Sequence, residues 1–154
     1  MAGSSFGTKA AFVVPEGPIV IEAADEAQGL RAADALHSVG ILELAGWREG
    51  SGDEVLEPVG MDELEQRLAA GEIDVIDVRE ANEADAGSIP GSRNVPYRVV
   101  RREARSDLPI VTVCESGARA AIAASVLQSA GVDARPVLDG GVAAWRARNA
   151  VTTR

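Results

Sequence analysis

The only cysteine of the chain, Cys114, is followed by Glu115, Ser116, Gly117, Ala118 and Arg119 and preceded by the apolar run Ile110-Val-Thr-Val113. A thiol at the carboxyl end of a buried strand lies where open α/β sheets hold their ligands. The loop then leads into a helix, whose first N–H groups lack intrahelical acceptors and point at any anion placed there. A thiolate or a persulfide is such an anion, so this position activates sulfur. Gly117 allows the tight turn that brings successive N–H groups together, and Arg119 adds a fixed positive charge. Glu115 acts in the opposite sense, because a neighbouring carboxylate opposes a second negative charge. Free cysteine also packs as a small hydrophobe, and a purely structural thiol is the alternative reading.

Other site chemistries have little to build on. One cysteine forbids an intramolecular disulfide and a Cys-rich zinc site. The single histidine, His37, lies between Leu36 and Ser38 on a helical stretch and reads as an ordinary helix residue. Neither a metal site nor a cofactor is expected. With 24 acidic against 15 basic residues the net charge is −9, which argues against a nucleic-acid partner. No apolar run approaches the ~18 residues of a membrane span, and Met1–Lys9 lacks the apolar core of a signal peptide. No membrane partner and a cytoplasmic location are therefore expected.

The elements that must position Cys114 alternate between strand and helix. Ile73–Val78 and Ile110–Val113 are β-branched runs of buried parallel strands, and Pro136–Leu138 is a weaker third. Residues 61–70 place Leu64 and Leu68 one helical turn apart before Gly71. Residues 118–130 pair Ile122 with Val126 and Ala123 with Leu127 before Gly131. A last helix starts near Val142. This alternation predicts an α/β fold with a mostly parallel sheet.

Residues 18–40 align without gaps on residues 109–131 at an offset of 91, with nine identities in 23 positions. Ala23 then stands where Cys114 stands and Gln28 where Arg119 stands, so this copy should be chemically inert. Gly46-Trp47 echoes Gly141 and Trp145. The expected organisation is a partial, degenerate unit at 1–50, a polar linker at 51–58 and a catalytic domain at 59–150. A unit of one or two strands and a helix cannot bury its apolar face alone. Residues 1–50 should therefore pack on the catalytic domain or on another chain, a homodimer being one such arrangement.

Cys-x-Ser-Gly-x-Arg between a buried strand and an Ala-rich helix resembles the active-site loop of rhodanese-like sulfurtransferases. Ile76-Asp77-Val78-Arg79-Glu80 is similar to the family's strand-end motif, and Gly87-Ser88-Ile89-Pro90-Gly91-Ser92 to its Gly-His-Ile-Pro-Gly-Ala segment, with Ser88 in place of the usual His. Leu138-Asp-Gly-Gly-Val-Ala-Ala-Trp145 is similar to its closing Gly-Gly-x-x-x-Trp motif. The motifs follow the family's order across 59–148. The whole chain resembles the C-terminal part of proteins in which a metallo-β-lactamase-fold domain precedes tandem rhodanese units, with Gly3-Ser4-Ser5 corresponding to a segment of the first unit.

The resemblance implies a doubly wound α/β domain in which Cys114 takes sulfane sulfur as a persulfide and passes it to a thiol or cyanide. Glu115, Ser116, Gly117, Ala118 and Arg119 would cradle the persulfide, and Asp77 and Arg79 would brace the fold beside it. The partners implied are a small-molecule or protein sulfur donor and a thiol acceptor. The acidic Glu115 disfavours a dianionic donor such as thiosulfate and favours a persulfide donor. Two alternatives stand beside this reading. One is a non-catalytic rhodanese-like interaction module. The other is a Cys-dependent phosphatase or arsenate reductase, disfavoured because the four residues between Cys114 and Arg119 make a loop one residue shorter than theirs.

Overall fold

The computed structural model describes residues 6–11, 14, 17–50 and 56–151. The chain divides into two units, one ending at Val55 and one beginning at Leu56. Gly3-Ser4-Ser5 and residues 51–55 of the expected linker lie outside the described residues.

The first unit contains helix α1 (Phe6–Ala10), strand β1 (Ile19–Ala23), helix α2 (Glu26–His37) and strand β2 (Leu44–Glu49). β1 and β2 pair in parallel, with Ala23 opposite Glu49. Asp25 starts α2, its Oδ1 accepting the N–H of Gln28 at 2.7 Å. Gly29 lets α2 approach β2, since a Cβ there would lie 3.2 Å from the Trp47 ring. Trp47 is thus a strand residue, whereas Trp145 belongs to a helix, and the expected echo of Gly141 and Trp145 in Gly46-Trp47 is not kept.

The second unit runs α3 (Met61–Ala69), β3 (Asp74–Asp77), α4 (Ala81–Asp85), β4 (Arg93–Asn94), α5 (Val100–Glu103), β5 (Ile110–Val113), α6 (Ala118–Ser129), β6 (Ala134–Pro136) and α7 (Gly141–Val151). Its four strands are all parallel, in the order β4-β3-β5-β6. Val75 pairs with Val111 and Asp77 with Val113, so these four residues share one face, while Ile76, Ile110 and Thr112 point to the other.

Each face carries its own helices. On the first, Val75, Val111 and Val113 join Val59, Met61 and Leu64 at the start of α3 and Val142 of α7 in one buried cluster. On the second, Thr112 Oγ1 donates to the Ala120 carbonyl of α6 at 2.9 Å, which satisfies a hydroxyl that is fully buried. Ala120, Ala123, Ala124 and Leu127 form the buried side of α6, and their small size lets the helix lie close to the sheet. Helices on both faces of a parallel sheet make the domain doubly wound.

Two boundaries differ from expectation. Pro136–Leu138 was expected as a strand, but β6 ends at Pro136 and its last sheet bond comes from the Val137 N–H to the Thr112 carbonyl at 2.9 Å. Leu138 then leaves the sheet for the turn at Gly140 and Gly141, which carries the chain to the cysteine loop. Glu57 and Pro58, expected in the linker, accept hydrogen bonds from Arg135 through their carbonyls, and Val59 N–H is held by the Pro136 carbonyl. No described helix is long and apolar enough to cross a membrane.

Candidate active site

β3 and β5 are neighbours, and their carboxyl ends place Asp77 and Cys114 at the same edge of the sheet. The Val78 N–H continues the ladder to the Val113 carbonyl at 2.8 Å, and Asn94 Nδ2 ties the carbonyls of Asp77 and Arg79 at 2.8 and 2.9 Å. The backbone leaving β3 is therefore held in place before any side-chain contact is counted.

The Cys114 sulfur accepts the Gly117 N–H at 3.1 Å, closing the loop on itself at the start of α6. Gly117 has φ +103°, a conformation that L side chains rarely adopt, and a Cβ there would lie 2.5 Å from the Leu138 carbonyl oxygen. No side chain caps α6. Its first N–H groups, which lack intrahelical acceptors, are left to the loop and to whatever the loop holds. Cys114 and Gly117 are buried, whereas Ser116 and Ala118 are exposed.

The Gly140-Gly141 turn completes the loop from the other side. Val142 N–H donates to the Cys114 carbonyl at 2.8 Å, and Ala143 N–H to that of Glu115 at 3.4 Å. The N-terminus of α7 thus holds the cysteine loop by its backbone, which explains why two glycines stand four and five residues before Trp145.

A chain of charges surrounds the loop. Asp77 and Arg79 are both buried, joined by Nε to Oδ1 at 3.0 Å and Nη2 to Oδ2 at 2.6 Å, while the Arg79 N–H donates to Asp77 Oδ1 at 3.0 Å. Arg79 Nη2 also reaches the Gly87 carbonyl at 2.8 Å. Ser88 Oγ, in the position of the family's usual His, lies 3.0 Å from both Asp77 Oδ2 and the Ala84 carbonyl oxygen. The hydrogen bonds it donates to Asp77 hold the Arg79 guanidinium protonated more firmly than usual, against the opposing effect of burial.

Glu115 and Arg119 have partners that their spacing did not disclose. The Glu115 carboxylate accepts from Arg79 Nη1 at 3.1 Å and from Arg146 Nη2 at 3.0 Å, so its charge is met on two sides. Arg119, expected to add a fixed positive charge to the loop, forms a two-bond pair with Glu83, at 2.6 and 2.7 Å. Those bonds hold the Glu83 carboxyl at about 2 and raise the Arg119 guanidinium. Sequence reading missed Glu83 and Arg146. The signal for Glu83 was the acid three residues after Glu80, whose N–H donates to Glu83 Oε2 at 3.2 Å.

In the first unit the loop between β1 and α2 is closed by its own side chains. The Asp25 carboxylate takes the Gln28 N–H, and Gln28 Oε1 takes the Ala24 N–H at 2.8 Å. Where α6 has no side-chain cap, α2 has one in Asp25. Among the described residues no group of three or more His, Cys, Asp and Glu side chains could hold a metal ion.

The chain is similar to the uncharacterized protein YqhL of Bacillus subtilis, 35% identical over 86 residues that cover 54% of this chain and 68% of that one. It is also similar to the thiosulfate sulfurtransferase GlpE of Shewanella oneidensis, 32% identical over 95 residues, covering 60% and 94%. Among solved structures, a rhodanese-related protein from Thermoplasma volcanium superposes with a TM-score of 0.54 at 27% identity, covering 60% of this chain and 92% of that one. Residues 60–148 match the pattern of the rhodanese-like domain. That span holds all the motifs around Cys114 and more than half of the chain, which therefore belongs to the rhodanese-like domain family.

Proposed function

We propose that the second unit is a sulfurtransferase that carries sulfane sulfur on Cys114. The observation that supports this most is the Gly117 N–H aimed at the Cys114 sulfur at the uncapped start of α6, in a fold whose relatives include a named thiosulfate sulfurtransferase. The Cys114 thiolate attacks the outer sulfur of a donor. With thiosulfate, a Cys114 S–S bond forms, the sulfur–sulfur bond of the donor breaks, and its electron pair leaves with sulfite. With a persulfide donor the pair leaves on the donor's thiolate. A thiol or cyanide acceptor then attacks the terminal sulfur, and the pair returns to Cys114.

Backbone N–H groups of residues 115–119 stabilise the negative terminal sulfur by preorganised hydrogen bonding. Asp77 and Arg79 brace the strand end. Arg119 serves through its pair with Glu83, which ties the first turn of α6 to α4, and its charge contributes to the field at sulfur without direct contact. Steady-state transfer from cysteine persulfide or thiosulfate to cyanide tests the reading. Turnover that disappears in Cys114→Ala supports it, and equal rates in both proteins would refute it.

One observation favours a second reading. Cys114 is 1% exposed, as a structural cysteine in a non-catalytic interaction module would be. The first unit is proposed to be a degenerate relative of the second. In its support, the order β1-α2-β2 parallels β5-α6-β6, and the offset of 91 places Ile19–Ala23 on Ile110–Cys114. Tandem-rhodanese fusions are its proposed context.

A further inference from the structure

Glu115 follows the nucleophile directly, is 41% exposed, and is bound by two guanidinium groups of different standing. Arg79 approaches from below, 1% exposed and already committed to Asp77. Arg146 approaches from α7, 43% exposed, and Glu115 is the one carboxylate it meets among the described residues. Around the loop, Arg79, Arg119 and Arg146 stand against Asp77, Glu83 and Glu115, three charges of each sign. Every guanidinium tied to this loop is therefore taken by a carboxylate. A dianion arriving at Cys114 must compete with Glu115 for Arg146, whereas a donor of low charge has no need of that arginine.

We propose that the Glu115–Arg146 pair determines donor specificity, holding the most exposed of the three guanidinium groups around the loop away from anionic donors and so selecting persulfides of low net charge over thiosulfate. This rests on the sulfurtransferase reading above and adds the donor class to it. The pair acts on a donor's charge, so its effect is a change in preference between donors and not a change in the chemistry at sulfur. With the carboxylate replaced by an amide of the same shape, Arg146 keeps its place at the mouth of the loop and becomes free to bind an anion. Without Arg146, the outer side of Glu115 loses its counter-charge.

The experiment compares kcat/KM for thiosulfate with kcat/KM for cysteine persulfide, with cyanide as the acceptor. Glu115→Gln should raise the thiosulfate-to-persulfide ratio by about tenfold, the scale of one unit charge acting on a dianion across a partly solvated site. Arg146→Ala should lower the ratio by about threefold in the native background. In the Glu115→Gln background, Arg146→Ala should abolish most of the gain. A ratio that stays within twofold of native in Glu115→Gln, or an equal effect of Arg146→Ala in both backgrounds, would overturn the proposal. If Glu115→Gln does not fold, Arg146→Ala decides alone, a lowered ratio supporting the proposal and an unchanged one sinking it. Failure of the underlying reading is distinct, since native protein would then transfer sulfur from neither donor.

Discussion

The Cα of Gly141 packs against the carbonyl of Cys114 so closely that a Cβ at 141 would lie 1.9 Å from the Cys114 oxygen. Both atoms belong to backbone, so neither can yield by a rotamer change. Gly141→Ala should therefore lower stability by ~3 kcal/mol, more than the ~1–2 kcal/mol of placing an L-residue at positive φ. Gly71→Ala supplies the comparison, because Gly71 also has positive φ but nothing within 4 Å of its would-be Cβ. Urea denaturation midpoints should fall clearly further for Gly141→Ala than for Gly71→Ala, and equal shifts would contradict the contact.

Asp77 and Arg79 are an ion pair with almost no water access. Removing one member of such a pair leaves a buried charge short of its partner, at a cost of roughly 3 kcal/mol. Asp77→Asn should show most of this loss in chemical denaturation. Arg93, whose Asp74 partner is partly solvated, offers a contrast. Asp74→Asn should cost under about 1 kcal/mol.

The Glu83–Arg119 pair predicts a pH dependence. Hydrogen bonds from Arg119 hold the Glu83 carboxyl at about 2 in the folded protein, below its ordinary value of 4.5. A carboxyl lowered by folding contributes stability that is fully present above its unfolded value and lost as pH falls through the folded one. Glu83→Gln should therefore be less stable than native by about 1 kcal/mol above pH ~5, with solvent exposure of both side chains limiting the effect. Thermal melts should show the gap closing between about pH 4.5 and 2. A gap that widens on acidification would contradict the assignment.

Installing a thiol at Ala23, which the offset of 91 aligns with Cys114, should not create a sulfur-binding site in the first unit. In Ala23→Cys combined with Cys114→Ala, the new thiol would stand at the end of β1, yet Asp25 and Gln28 already occupy the N–H groups of Gln28 and Ala24 in that loop. Intact mass after incubation with cysteine persulfide should show no stable sulfur adduct, and a retained adduct would mean that this loop can still hold an anion.

Sequence reading placed the elements around Cys114 well where structure follows from local order. A β-branched run, a cysteine, a glycine and a helix former already imply strand, loop and helix, and α6 begins where the pattern placed it. It failed where position depends on residues far along the chain. Arg119 pairs across 36 residues with Glu83, and Glu115 meets Arg79 and Arg146 across 36 and 31. No periodicity reports such contacts, so Glu115 read as an unopposed carboxylate, whereas in the fold two guanidinium groups meet it. Helices α4 and α5 and the two-residue β4 were also illegible, because elements of two to five residues are too short to show a hydrophobic period. Gly117 and Gly141 were legible as turn residues, but their closeness to Leu138 and Cys114 emerges only once β6 has delivered the chain to the loop.

Incubation of the full chain with cysteine persulfide, followed by gel filtration and intact mass under non-reducing conditions, tests the role of Cys114 most directly. The expected result is one adduct of about 32 Da, a single sulfur atom in persulfide linkage, removed by cyanide and absent from Cys114→Ala. An unmodified mass with both cysteine persulfide and thiosulfate, in protein shown to be folded, would contradict it and leave Cys114 as a buried structural thiol.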